Sequence, residues 1–100
     1  MSSILLKDEY RNMLFDIFDS YCPKAEIWVY GSRINGNAHE GSDLDLVVKS
    51  FNDEKKSLSE LKELISNSNI PFLVDINEYT SLPQNFCSEI DKKYLVFYKK

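Results

Sequence analysis

The sequence is short of several residue types. Its 100 residues include three glycines, three prolines, two cysteines, one histidine and one tryptophan. Cys22 and Cys87 lie far apart with no C-x-x-C spacing, so a disulfide-rich scaffold is excluded. The default is two ordinary thiols in a reducing, cytoplasmic protein, with one Cys22–Cys87 bridge left open. A single histidine without clustered cysteines argues against a structural zinc site. No apolar run approaches the ~20 residues of a membrane span. The first ten residues lack a basic segment followed by a long apolar one, so no signal peptide is expected. Positive charge is also scarce: 12 Lys and Arg against 16 Asp and Glu give a net charge of −4. That balance argues against a broad nucleic-acid surface, which needs cations to displace counterions from phosphates. The pairs Lys55-Lys56, Lys92-Lys93 and Lys99-Lys100 read as solvated surface.

With 43% hydrophobic and 13% aromatic residues, the chain carries enough apolar material to fold. It shows no repeat and no internal linker, and is expected to be one domain over residues 1–100. Leu6, Tyr10, Met13, Leu14, Ile17, Phe18 and Tyr21 recur at helical spacing, and Pro23 ends the pattern. Residues 26–30 (E-I-W-V-Y) predict a first strand and residues 43–49 a second. Ser57-Leu58-Ser59-Glu60 has capping-box form and opens a helix to about residue 67. Residues 71–77 predict a third strand. Ser81-Leu82-Pro83-Gln84 predicts a second capping box and a short helix in which Leu82, Phe86 and Ile90 share a face. Residues 94–98 close the chain as a strand or an extended segment. The order implies an α/β or α+β fold, a small mixed sheet flanked by helices.

The glycines are concentrated. Gly31, Gly36 and Gly41 all fall in Y-G-S-R-I-N-G-N-A-H-E-G-S-D-L-D-L-V-V, residues 30–48. Strand alternation puts Asp43 and Asp45 on one face, about 7 Å apart along the backbone, with Val47 after them. Leu44, Leu46 and Val48 face the other way as core. In the third strand Asp75 shares a face with Leu73 and Asn77, opposite Val74 and Ile76. If the second and third strands are neighbours, three carboxylates converge. Their repulsion would be relieved by Mg²⁺, which takes oxygen ligands and leaves positions for water and phosphate. Two such ions would suit in-line displacement at phosphorus. A strand ending in Gly31-Ser32 and turning into a helix offers backbone N–H groups to a phosphate, and Arg33 adds a positive charge. Gly36 and Gly41 read as turn formers. His39 and Glu40 read as polar loop, and Trp28 and Tyr30 as core, with an aromatic next to Gly31 also placed to contact a base.

Gly31-Ser32-Arg33, Gly36, Ala38 and Ser42-Asp43-Leu44-Asp45-Leu46 resemble the G-S-R-x-x-G-x-A…S-D-x-D-L signature of the minimal nucleotidyltransferases. That family belongs to the DNA polymerase β-like superfamily. The segment V-D-I-N-E-Y, from Val74, resembles the strand bearing the family's third acid, and the L-P-ending tail is similar too. The resemblance spans nearly the whole chain. It implies that Asp43, Asp45 and Asp75 are catalytic and bind metal, two Mg²⁺ ions in the family. It also implies that Gly31, Ser32 and Arg33 hold the phosphates of an NTP. It further implies transfer of a nucleoside monophosphate, AMP from ATP, to a hydroxyl with release of pyrophosphate. The partner it implies is a small helical HEPN toxin, modified on tyrosine, with this chain as antitoxin in a hetero-oligomer. No residues are evident for a separate acceptor-binding domain, which fits an acceptor supplied by a partner. The alternatives are a non-catalytic antitoxin acting by binding alone and a transferase for an aminoglycoside-like small molecule.

Overall fold

The protein is described here by a computed structural model covering residues 4–35 and 41–100. Gly36, Ala38, His39 and Glu40 of the signature segment therefore lie outside the described residues. The 3.6-residue stripe becomes the helix Asp8–Tyr21 (α1), which buries Leu14 and Phe18 fully. The strand Glu26–Tyr30 (β1) follows, then one helical turn at Ser32–Asn35 (α2) and the strand Leu44–Ser50 (β2). The helix Leu58–Ser66 (α3) crosses to Val74–Glu78 (β3). A 3₁₀ turn at Tyr79–Ser81 and the helix Gln84–Lys92 (α4) lead to Leu95–Tyr98 (β4). The sheet order is β3-β2-β1-β4, with β1 antiparallel to β2 and β4, and β2 parallel to β3. The parallel pair requires a crossover, and α3 supplies it. The mixed sheet with flanking helices agrees with the expected fold class.

The two sheet faces do different work. Leu44, Leu46 and Val48 join Ile27, Val29 and Ile76 beneath α1 and α3, whose Leu61 and Ile65 complete the main core. Val47 points the other way, into a smaller cluster with Trp28 and Ile90 of α4. Alternation in β2 thus assigns one face to core and the other to α4 and to what lies beyond it.

Three local expectations are revised. The capping box at Ser57 forms only half: its hydroxyl accepts from the Glu60 N–H at 3.4 Å. The return bond is made by Tyr21, whose hydroxyl accepts from the Ser57 N–H at 2.9 Å and donates to Glu60 at 2.8 Å. The box expected at Ser81 does not form, because Leu82 and Pro83 are extended and Pro83 takes the N-cap position. A residue before proline is pushed out of helical geometry, which moves Ser81 too far upstream to cap. The third strand begins at Val74 rather than at Pro71. Phe72 packs edge-on against Tyr10 at 5.6 Å, and this segment reaches the ladder through the Leu73 carbonyl, which accepts from the Leu44 N–H at 2.9 Å. Both cysteines are free and buried.

Burial makes the fold sensitive to alkali. It pushes the Cys22 thiol from 9 up to about 11. Burial also pushes the Tyr98 phenol well above 10, with help from its bond to Asp19. Groups raised in this way favour the folded state fully below their unfolded values and lose that contribution as pH rises through the folded ones. The urea midpoint is therefore expected to hold to about pH 9 and fall steadily towards pH 12. Cys22→Ala should remove the first part of that fall; a flat midpoint from pH 8 to 12 would contradict the assignment.

Candidate active site

Asp45 lies at the centre of the site because of strand pairing. It is opposite Tyr30 of β1 on one side and opposite Asp75 of β3 on the other. Neighbouring strands run about 4.8 Å apart, and paired residues point to the same face. The parallel register therefore sets the two carboxylates side by side. Asp43 stands just before β2, two residues from Asp45, and its charge reaches Asp45. Asp43 and Asp75 are exposed, whereas Asp45 is half-buried. The Asn77 side-chain amide donates to Asp75 at 3.3 Å.

The electrostatics show the crowding. Asp45 has its pKa raised, first by burial and then by the charges of Asp75 and Asp43. The same field reaches the Tyr30 phenol, pushed up to about 12 by burial, then by Asp45 and Asp75. Among the described residues, no three His, Cys, Asp or Glu side chains close on a point that would hold a metal ion unaided. Asp45 lies beside Asp75 and within reach of the charge of Asp43, without a finished cage. Such an open, oxygen-only set suits Mg²⁺, which typically takes one or two carboxylates and completes its shell with water and substrate phosphate.

Gly31 is fitted against this set. Its φ is +85°, and a Cβ there would lie 2.4 Å from Oδ2 of Asp45. No L-side chain meets both demands, so glycine is needed both for the turn and for the room beside the carboxylate. Ser32 follows as the first residue of α2, half-buried.

Arg33 does not take the position expected of it. It is only 4% exposed. Its Nε donates to the Ser42 carbonyl at 3.0 Å, while its terminal nitrogens donate to the carbonyls of Ser42 and Leu5. The guanidinium carbon lies 4.2 Å from the Phe72 ring centre. Burial disfavours its charge and Asp43 supports it. Arg33 thus ties the chain just ahead of Asp43 to the segment at Leu5. Replacing it with methionine is expected to cost about 2–4 kcal/mol, because buried carbonyls lose charged donors. Lysine should recover little of this, having no planar fork to span two carbonyls and stack on a ring. Urea denaturation of both variants checks the prediction, and near wild-type stability in either would refute it.

Tyr30 and Asn77 also touch the site. The alternation already placed Asn77 beside Asp75. Tyr30 looked like core, and only its register opposite Asp45 reveals where it stands.

Comparison with known proteins gives this geometry a lineage. The family model described as "Polymerase beta, Nucleotidyltransferase" matches residues 12–100. The probable protein adenylyltransferase MntA of Haemophilus influenzae is 31% identical over 96 residues, covering 95% of this chain and 84% of that protein. A crystal structure described as a toxin-antitoxin with AMP-PNP superposes with a TM-score of 0.69 at 20% identity, over 90% of this chain and 73% of that one. At that identity the superposition speaks to the fold alone. The family match over most of the chain, together with the MntA relative, identifies this protein as a nucleotidyltransferase of the polymerase beta family, on its minimal, MntA-like branch.

Proposed function

We propose that this protein transfers AMP from ATP to a hydroxyl of a partner protein, a tyrosine of a small helical HEPN-type toxin, and thereby acts as its antitoxin in the cytoplasm. The observation that carries the catalytic part is the pairing of Asp45 with Asp75, with Gly31 seated against the Asp45 carboxylate. The partner rests on the MntA relative, named a protein adenylyltransferase, and on the toxin–antitoxin assembly sharing this fold. The net charge of −4 suits a protein acceptor better than an RNA one.

In this reading Asp43, Asp45 and Asp75 would hold the Mg²⁺, two ions in the family the chain resembles. Bound there, the metal supplies positive charge against the phosphate oxygens. The chain's own residues do the positioning. Gly31 and Ser32 hold the β- and γ-phosphates, fixing the α-phosphorus over the acids. Asp75 orients the acceptor hydroxyl and receives its proton. The hydroxyl oxygen then bonds to the α-phosphorus, and the bond to the β-bridging oxygen breaks. Pyrophosphate leaves with that electron pair, and AMP remains on the acceptor. No protein nucleophile is needed, since positioning and charge supply the rate.

The test is to co-express the chain with its genomic neighbour, purify the pair and add α-labelled ATP with Mg²⁺. Label on a tyrosine of the partner, lost on chelation by EDTA, is the expected result. Partner that stays unlabelled while its toxicity is neutralised would defeat the catalytic reading.

A further inference from the structure

The phosphate site needs a cation on its far side, and the structure shows that Arg33 is engaged elsewhere. A cavity of about 340 Å³ opens from Gly31 towards α4. Its apolar wall is Tyr30, Phe86 and Ile90, and its charged rim is Glu89, Lys92 and Lys93, two cations against one carboxylate. Tyr30 and Phe86 meet edge-on at 5.9 Å. Phe86 is nonetheless 43% exposed, so it stands at the rim instead of closing the cavity.

Strand order arranges the charges in a line. Asp75 is on β3, Asp45 on β2 and Gly31 at the end of β1, and Lys92 and Lys93 lead into β4. Val29 of β1 is opposite Leu95 of β4. Beyond those strand ends Gly31 and Lys93 line the same cavity. The same end of the sheet therefore runs from three carboxylates, past a turn open to close approach, to a pair of ammonium groups. Lys92 is held by Glu89 at 3.1 Å, on a well-exposed stretch of helix. Lys93, at the C-cap of α4, is the more direct of the two.

We infer that the cavity between Gly31 and α4 receives the distal phosphates of the nucleoside triphosphate, with Lys93 and, behind it, Lys92 as their cationic wall. This rests on the reading of the site as one that binds an NTP. It adds residues that sequence reading assigned to plain surface. A polyphosphate matches the gradient: its α-phosphate lies by the acids, where a divalent cation offsets like charge. Its terminal phosphates lie where the chain's own cations are. The lysines are exposed, so their attraction for phosphate is that of solvated charges and is screened by salt. The same cationic wall would hold pyrophosphate as it departs.

Titration calorimetry of the whole chain with Mg²⁺ and, separately, AMP, ATP and tripolyphosphate tests the assignment. Lys92→Gln/Lys93→Gln removes two exposed charges and should leave the fold intact. It is expected to weaken ATP and tripolyphosphate by about tenfold or more while changing AMP by less than about twofold. Added salt should narrow the difference between wild type and variant. Unchanged ATP affinity, an equal loss for AMP, or a wild type that binds no tripolyphosphate would overturn the inference. The labelling of the partner is an independent readout. Lysine-dependent ATP binding without transfer would defeat the proposed function and leave this inference standing. Transfer with lysine-independent binding would do the reverse.

Discussion

Replacing Gly31 with alanine is expected to reduce adenylate transfer by about 100-fold or more, from a change of a single methyl group. Two separate costs meet at this position. The backbone has φ +85°, where an L-residue pays about 1–2 kcal/mol. The new Cβ would also lie 2.4 Å from Oδ2 of Asp45, closer than the atoms can stand. The carboxylate is the movable partner, being a side chain at the mouth of the site, so relief comes by turning Asp45 away from Asp75. A displacement near 1 Å at a reacting centre is enough for a loss of that size. Thermal unfolding should show a drop of several degrees, in line with the backbone term in a domain of this size. The comparison that isolates the effect is Leu61→Ala, which empties a fully buried core position on the sheet face opposite Asp45 and Asp75. It should cost about 2–5 kcal/mol while leaving transfer by the folded fraction near wild type. If Gly31→Ala transfers as well as Leu61→Ala at equal folded fraction, the contact between Gly31 and Asp45 has no catalytic meaning.

The contrast between Gly31 and Arg33 shows what a sequence makes legible. Gly31 was readable because strand, glycine and helix follow one another locally, and the acids were readable because alternation is a local rule. Their convergence hung on one non-local fact, the adjacency of β2 and β3, which the structure supplies through the parallel register. The hydrogen bonds of Arg33 to the carbonyls of Leu5 and Ser42 are not legible in the same way, because backbone oxygens carry no sequence signature. Lys93 was passed over for a related reason: a lysine pair after a helix looks the same whether it faces solvent or a phosphate. Only the fold brings it to the cavity beside Gly31. The capping boxes divide along the same line. Ser57 capped its helix as its spacing implied, while at Ser81 the extended proline step overrode an equally good motif.

Asp45→Asn and Asp75→Asn are expected to abolish transfer, by at least about 100- to 1000-fold, yet to differ in what they do to the fold. Each removes a carboxylate that a metal-bound polyphosphate needs, and an amide of the same shape supplies no charge. The folds respond differently because the two acids stand in different surroundings. Asp45 is half-buried, with its pKa raised by burial and by Asp75 and Asp43. A carboxyl raised in this way favours the fold while protonated, below its unfolded value, and that contribution is gone at neutral pH, where the charge is carried at a cost. Neutral asparagine escapes that cost, so Asp45→Asn should melt at or above the wild-type temperature when no divalent cation is present. Asp75 is exposed and gives up only one weak bond from Asn77, so Asp75→Asn should melt close to wild type. Added Mg²⁺ with ATP should then stabilise wild type, by linkage, and stabilise Asp45→Asn far less. An inactive variant that is as stable as its parent or more so separates a carboxylate kept for chemistry from one kept for the fold. Asp45→Asn that retained transfer, or that unfolded well below wild type without metal, would show that this residue serves structure, and the catalytic assignment of β2 would have to be given up.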